Sequence, residues 1–334
     1  MDHLFSDVPG VKTQNVILND NLELWMTRLP PYLKSIPIIH LAIPGSHNTM
    51  TYTISRFNDV GPDEPQYLRF LGRYLSLLSK PVIFNWSVTQ YDDIKGQLTG
   101  GIRYLDLRLA TKPNDHQIYF LHGLYGDTVA SHLKDISDWL KEHPEEVIIL
   151  DFQHFYSFNL NNHMSLVTII KNIFGTRICP VSGILSSISI DWMVRRGYQV
   201  IIIYRNEIAR LENDLWPSGL WPTPWPNTTD ATELIDFLDS RLGTRLPDTG
   251  YVSQCLLTPD TKYVLRHLCG SLHRDLAVKC REVSIPWLEG HYPGDGGMNI
   301  VITDYVSFNN FQFSRLVIQR NRELLQHTHS FSLS

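Results

Sequence analysis

Polar and apolar positions along the chain repeat with two periods, and the two kinds of segment alternate. Over Gly101-Ile102-Arg103-Tyr104-Leu105-Asp106-Leu107-Arg108-Leu109 the period is two. This predicts a strand with Tyr104, Asp106 and Arg108 on one face and Leu105, Leu107 and Leu109 on the other. Five further apolar runs read as strands that finish in polar residues. They are Ile38 to Ile43 before Pro44-Gly45-Ser46-His47-Asn48, Gln117 to Leu121 before His122-Gly123, Glu146 to His154, Tyr198 to Arg205, and Asn299 to Tyr305. Tyr251 to Leu257 is a weaker strand. Pro44 and Gly45 should end the pairing of the first strand, so that Ser46, His47 and Asn48 emerge at the rim of its sheet.

Between the strands the spacing is helical. Val129, Leu133, Ile136, Trp139 and Leu140 make one apolar stripe, and Ser165 to Phe174, Thr232 to Leu242, Lys262 to Cys280 and about Asn310 to Leu325 make others. Leu22, Trp25, Met26 and Leu29 predict an N-terminal amphipathic helix over about 19–29, stopped by Pro30-Pro31. Tyr67 to Leu78 reads as a helix that follows the loop Gly61-Pro62-Asp63-Glu64-Pro65. Buried strands alternating with helices imply parallel pairing. Six or seven such units point to an α/β distorted TIM-type barrel with peripheral helices, ahead of a doubly wound open sheet. No GxGxxG or GxxxxGK[ST] follows any strand, so the usual nucleotide-binding reason for an open sheet is missing. No linker-like segment divides the chain, so a single domain over residues 1–334 is expected, its core about 37–325.

Composition narrows the function more than the fold. The 334 residues are 43% hydrophobic and 19% charged with a net charge of -5, which excludes a general basic field and with it a nucleic-acid partner. No run is long and apolar enough to span a bilayer, and the N-terminus has neither a basic region nor an apolar segment of a secretory signal. A cytoplasmic protein with transient membrane association is the expectation. Cys179, Cys255, Cys269 and Cys280 show no CxxC pairing and read as free or buried thiols. The sequons at Asn85 and Asn227 are then accidental.

In a parallel barrel the C-terminal strand ends share one mouth. His47, Asp106, Arg108, His122, Asp151, Gln153, Arg205 and Asp304 would all lie there. Each alone has an ordinary structural reading as a turn histidine, a buried ion pair or an N-cap. Their common placement at strand ends is what such readings leave unexplained. Two histidines, an arginine and carboxylates, without HExxH or cysteine ligands, suit acid–base work on a phosphate ester. A neutral imidazole would deprotonate a hydroxyl and an imidazolium would protonate the leaving oxygen. An aspartate would hold the base, and arginine would face the charge on phosphorus.

Four ordered motifs carry a resemblance: Ile43-Pro44-Gly45-Ser46-His47-Asn48-Thr49, Gly101 to Arg108, Leu121-His122-Gly123 and Ile302-Thr303-Asp304-Tyr305. Together the chain resembles the X-domain of phosphatidylinositol-specific phospholipase C, and more narrowly the animal proteins that consist of little else. The resemblance implies a distorted TIM barrel that cleaves phosphatidylinositol at a membrane surface to diacylglycerol and a cyclic inositol phosphate. It makes His47 the general base, His122 the general acid, Asp304 the carboxylate that orients His47, and Asp106 with Arg108 a phosphate-contacting pair. Asn48, Arg205, Tyr204, Asp151 and Gln153 become candidate substrate contacts. Arg108 stands where bacterial members keep arginine and the calcium-dependent animal enzymes keep a carboxylate, so no cofactor is expected. Asn48 replaces an aspartate of the bacterial enzymes. Because calcium-dependent members use asparagine there as a ligand, Ca2+ on Asn48 and Asp106 stays as the alternative.

The loop Trp216 to Pro226 is the candidate membrane contact through Trp221 and Trp225; the same tryptophans would equally suit a crossover loop packed on the barrel. Asn48 also motivates a second function, a non-catalytic phosphoinositide-binding module. Glycerophosphodiester hydrolysis on a similar barrel is weaker, since no His-Arg-Gly with paired metal-binding acids occurs.

Overall fold

The computed structural model describes residue 18, residues 20–181 and residues 184–326. Among these, nine strands form one sheet: β1 (Ile43–Ser46), β2 (Tyr104–Thr111), β3 (Ile118–His122), β4 (Leu124–Thr128), β5 (Ile148–Tyr156), β6 (Val200–Tyr204), β7 (Trp216–Pro217), β8 (Val252–Cys255) and β9 (Ile300–Thr303). The order is β7-β6-β5-β2-β1-β9-β8, parallel throughout, and β3 with β4 forms an antiparallel hairpin attached to β2. The sheet curls into a distorted TIM-type barrel. At the seam between β7 and β8 the chain after β7 takes the place of a ladder. Gly250 N donates to Leu220 O and Val252 N to Pro222 O, both at 2.9 Å. Pro222 accepts there without leaving an N–H unpaired.

The pleat sorts the side chains. Outward residues of β2, β5 and β6, among them Leu105, Leu107, Leu150 and Ile202, pack under the helices Val129–Glu142 and Leu160–Phe174. Val301 and Cys255 face the helices Ala231–Leu242 and Val278–Gly290. Inward residues Ile43, Ile149, Ile201, Ile203, Val252, Ile300 and Ile302 fill the lower barrel with Trp216 and Trp221. Trp25, Met26, Leu29 and Leu33 from the N-terminal segment belong to the same cluster.

Several boundaries move from the sequence reading. Residues 23–28 form turns, and the helix begins rather than ends at the prolines, over Pro31–Ser35. A proline in the first helical turn costs no hydrogen bond. Ile38–His40 is a 3-10 turn, and β1 starts only at Ile43 and runs through Pro44 and Gly45. Ile43 N bonds β9 through Asn299 O, whereas Pro44 O accepts from Arg103 N on the β2 side. The proline nitrogen therefore faces β2 just before the β1–β2 register opens at Gly45↔Tyr104, where no donor is required. Glycine at 45 is a packing demand, because a Cβ there would lie 2.8 Å from both Ile302 Cγ2 and Tyr104 Cδ1. The helix expected over Tyr67 to Leu78 is two helices, Gln66–Tyr74 and Ser76–Ser87, which break at Leu75. The one expected over Lys262 to Cys280 is divided after Arg266.

At the closed end, Arg103 and Glu146 are fully buried as an ion pair, with Nε and NH2 of the arginine 2.9 and 2.8 Å from Oε2. Arg103 also donates to Leu98 O, Ile102 O and Glu23 O, and Glu146 Oε1 accepts from Thr27 N and Oγ1. The pair thus fastens the N-terminal segment across the barrel floor. Removing one partner strands the other charge in a dry site. Glu146→Ala should lower the unfolding free energy by about 3–5 kcal/mol in urea titrations; a loss below about 1 kcal/mol would mean the pair is dispensable.

Candidate active site

The inward positions at the open end are polar. His47 follows β1, Asp106 and Arg108 lie on β2, Gln153 on β5, and Asp304 follows β9; all five line one cavity, which His122 joins from the end of β3. His47 sits between two partners: Nδ1 is 2.7 Å from Asp304 Oδ1, and Nε2 is 3.1 Å from Arg108 NH2. A guanidinium only donates, so Nε2 accepts and Nδ1 carries the proton that bonds Asp304. The lone pair a base needs is therefore the one held toward Arg108 and the cavity.

Arg108 is shared. Its NH2 is 3.4 Å from Asp106 Oδ2, which also accepts from Asn48 N at 3.1 Å and lies 3.9 Å from His47 Nε2. Burial alone would push the Asp106 carboxyl up. The charge of Arg108 and the Asn48 N–H outweigh it and hold Asp106 below the usual carboxylate range. Behind this row, Thr89 Oγ1 and Gln90 Nε2 each donate to His47 O at 3.0 Å, and Gln90 Nε2 also reaches Thr303 O. The backbone that presents His47 is thereby fixed from two elements.

His122 Nδ1 lies 2.7 Å from Ser87 O, so its proton goes to that carbonyl and Nε2 is left as an acceptor. Burial, and next the positive charge of Arg108, lower its pKa to about 3. The two imidazoles stand edge to face with ring centroids 6.3 Å apart. Both nitrogens that could move a proton to or from a bound group thus belong to neighbouring, roughly perpendicular rings.

Three candidates do not take their expected places. Tyr204 is fully buried on the outer face, its hydroxyl 2.7 Å from His163 Nδ1, because Arg205 and Tyr204 are adjacent in a strand and must point to opposite sides. Asp151 is fully buried and both oxygens are engaged. Arg205 Nε and NH2 donate at 2.9 and 2.6 Å, Tyr104 Oη at 2.6 Å and Gln153 Nε2 at 3.1 Å, so it positions Arg205 instead of meeting a ligand. Trp221 is fully buried in the barrel core, against Gly250, with its carbonyl accepting from Arg205; it is packing, not a membrane contact. Trp225 is 53% exposed at the cavity rim.

Asn48 has a left-handed backbone (φ 43°), which asparagine tolerates. Both its amide atoms are buried without a hydrogen-bond partner, in a small pocket shared with Asp106 and Arg108. The Arg108 guanidinium occupies the edge of Asp106 that a cation shared with Asn48 would need.

Two carboxylates were not legible from the sequence. Gly61 N donates to Gly123 O at 2.8 Å and Tyr125 N to Asp59 O at 3.1 Å, docking residues 59–61 along the β3–β4 turn. Asp63 Oδ2 then accepts from Gly123 N at 2.7 Å beside His122, while Oδ1 is buried without a partner. Glu64 lines the same cavity, and burial, then the charge of Asp63, push it up to about 7. Gly61-Pro62-Asp63-Glu64-Pro65 reads as a surface loop, and nothing within it signals a contact some 60 residues away.

No family model matches the chain. Among curated proteins it is 38% identical over 315 residues to mouse PI-PLC X domain-containing protein 2, covering 93% of this chain and 90% of that one. It is 36% identical over 309 residues to human PI-PLC X domain-containing protein 1, covering 91% and 93%. Among solved structures, the phosphatidylinositol-specific phospholipase C from Listeria monocytogenes superposes with a TM-score of 0.61 at 16% identity over 90% of this chain and 99% of that one. A variant of the Staphylococcus aureus enzyme gives 0.64 at 14% identity over 91% and 98%. These last two are likenesses of fold.

Burial at the site has a pH signature. Glu64 keeps its proton in the fold to about 7 against an ordinary value of 4.5, so its contribution to stability is complete below 4.5 and is lost as pH rises through 7. His122 is the opposite case, since protonating it between 6.5 and about 3 favours the unfolded chain. The melting temperature of Glu64→Gln relative to wild type should therefore climb from pH 4.5 to 8 in calorimetry, and that of His122→Gln should climb as pH falls below 6.5. Differences that do not vary with pH would contradict these burials.

Proposed function

The chain belongs to the family of PI-PLC X domain-containing proteins, and on that premise we propose that it is a phosphodiesterase cleaving phosphatidylinositol to diacylglycerol and an inositol phosphate. The observation that carries the reading is His47, with its proton bonded to Asp304 at 2.7 Å and its free nitrogen turned toward Arg108. His47 Nε2 takes the proton of the inositol 2-hydroxyl, whose oxygen attacks phosphorus and closes a cyclic phosphodiester. Asp304 and the nearby Asp106 stabilise the imidazolium that forms. Arg108 turns from His47 to the phosphate oxygens and takes their charge by forked donation, so the step needs no metal. The bond from phosphorus to the diacylglycerol oxygen breaks, and that oxygen takes a proton from His122 Nε2.

His122 must first be charged. Burial, and next the charge of Arg108, oppose this in the free protein, and a phosphodiester anion that neutralises Arg108 removes the second of these. Asn48 offers its unpartnered amide to a phosphate oxygen but has no proton to pass on. That deficit, with a neutral His122, favours a second reading in which the protein holds phosphoinositide and turns it over slowly or not at all.

The surface to meet a bilayer lies along the helices Gln66–Tyr74 and Ser76–Ser87. Phe70, Tyr74 and Leu77 are 60%, 63% and 90% exposed, with Arg69 and Arg73 among them, and Trp225 stands across the cavity. Aromatic rings with arginines suit an anionic interface. No helix among the described residues is long and apolar enough to cross a membrane.

Release of water-soluble inositol phosphate from vesicles of labelled phosphatidylinositol tests the proposal. Wild type should release it with or without a calcium chelator. His47→Ala and His122→Ala should each lose ~10²–10⁴-fold, and Arg108→Ala ~10²–10³-fold. Vesicle binding without release by wild type would replace catalysis by the binding reading, and inhibition by chelator would overturn the metal-free mechanism.

A further inference from the structure

The cavity does not end at the polar residues. It encloses about 880 Å³, in the upper part of the range for ligand cavities, and its charged lining gathers around His47, Arg108 and His122, with Asp260 the one acid on the side of Leu265 and Leu268. Beyond His122 leucine and valine predominate. Leu71, Leu78 and Val82 come from the helices Gln66–Tyr74 and Ser76–Ser87, Leu75 from the break between them, and Leu268 and Leu272 from the segment after Thr261–Arg266 on the other side. An inositol phosphate has nothing to place against leucine and valine, so the headgroup accounts for the charged end alone.

How the two ends join decides the occupant. His122 bonds through Nδ1 to Ser87 O, the last residue of the helix Ser76–Ser87, and Gly123 is packed so close to Ile83 and Ser87 that a Cβ would touch them. The imidazole that serves the leaving group is therefore seated on the helix whose preceding turns supply Val82 and Leu78 to the groove. Along that helix the leucines divide in their roles. Leu78 and Leu77 are 74% and 90% exposed, but Leu78 lines the groove and Leu77 lies outside it. One side is suited to lie on a bilayer and the other to take what leaves it.

We propose that this groove is an acyl-chain slot, in which one fatty acyl chain of the lipid at the His47–His122 centre leaves the bilayer and lies between the helix pair 66–87 and the wall of Leu268 and Leu272. The assignment rests on the phosphodiester reading above, because it is the diacylglycerol side of the phosphate that faces His122. The lipid is then held by its chain as well as by its headgroup, and the diacylglycerol product departs along the same path.

The test is binding, so that it does not depend on turnover. A single-chain lysophosphatidylinositol carrying a pyrene-decanoyl group, used below its micelle concentration, is titrated into wild type and His47→Ala and followed by pyrene fluorescence. Both should bind. Leu268→Trp and Leu71→Trp, which fill the groove, should weaken binding at least tenfold with melting temperatures within a few degrees of wild type. Leu77→Asp, on the outer side, should leave it within twofold. Unchanged binding in both groove variants, or a loss in Leu77→Asp alone, would overturn the slot. Probe binding by wild type that releases no inositol phosphate would keep the slot and reject catalysis; release without probe binding would do the reverse.

Discussion

A parallel strand whose outer face is covered by helices has one other face, and in a barrel that face is shared with every other strand. Each inward side chain must then be apolar or satisfied by other inward side chains. The lower barrel obeys through isoleucine, valine and the two buried tryptophans. At the open end the inward residues are charged, and they take one another as partners along and across the strands. Asp304 with His47, Arg108 with both His47 and Asp106, and Asp151 with Arg205 are the result. The candidate site is how this barrel meets the cost of burying charge at its mouth.

That arrangement is also biased. Arg108 is the positive centre beside the two imidazoles, and it acts on both: it holds the free nitrogen of His47 and adds to the burial that depresses His122. An arriving anion changes each of these together. A guanidinium that turned to an anion would free the His47 nitrogen from its donor and offset the positive charge beside His122 in one movement. Asn48 is where the balance is least complete, a buried amide whose two polar ends bond to nothing while Asp106 takes its backbone N–H. Asp63 and Glu64 bring two further carboxyl groups to the same cavity from a docked loop, next to the turn that carries His122.

Alternation and strand ends were readable from the chain alone. The face shared by Asp106 and Arg108, the rim position of His47 and the convergence with Asp304 follow from a period of two and a parallel order, whereas His122 ends an antiparallel strand and reaches the same cavity through a hairpin that the alternation did not foretell. The same period, applied to Tyr198 to Arg205, would have placed Tyr204 outside with His163. An unbroken apolar run conceals its own faces, and that is why the expectation missed it. β1 was displaced for a related reason: proline and glycine usually stop a strand, yet here proline stands where no donor is needed and glycine where a ring crosses.

By itself, then, the sequence determined the architecture, the order of the strands' polar ends and the chemical kinds that meet at the mouth, because pleat and parallel pairing are local rules carried by each segment. Tertiary structure alone decided which of those groups remain free to act. Asp151 is consumed by Arg205 and Tyr104, Trp221 by the seam of the barrel, and Ser87 by His122, while Asp63 and Glu64 enter from a loop with no motif. Whether a buried polar group has a lone pair or a proton left over depends on partners many residues distant, and no local pattern records them.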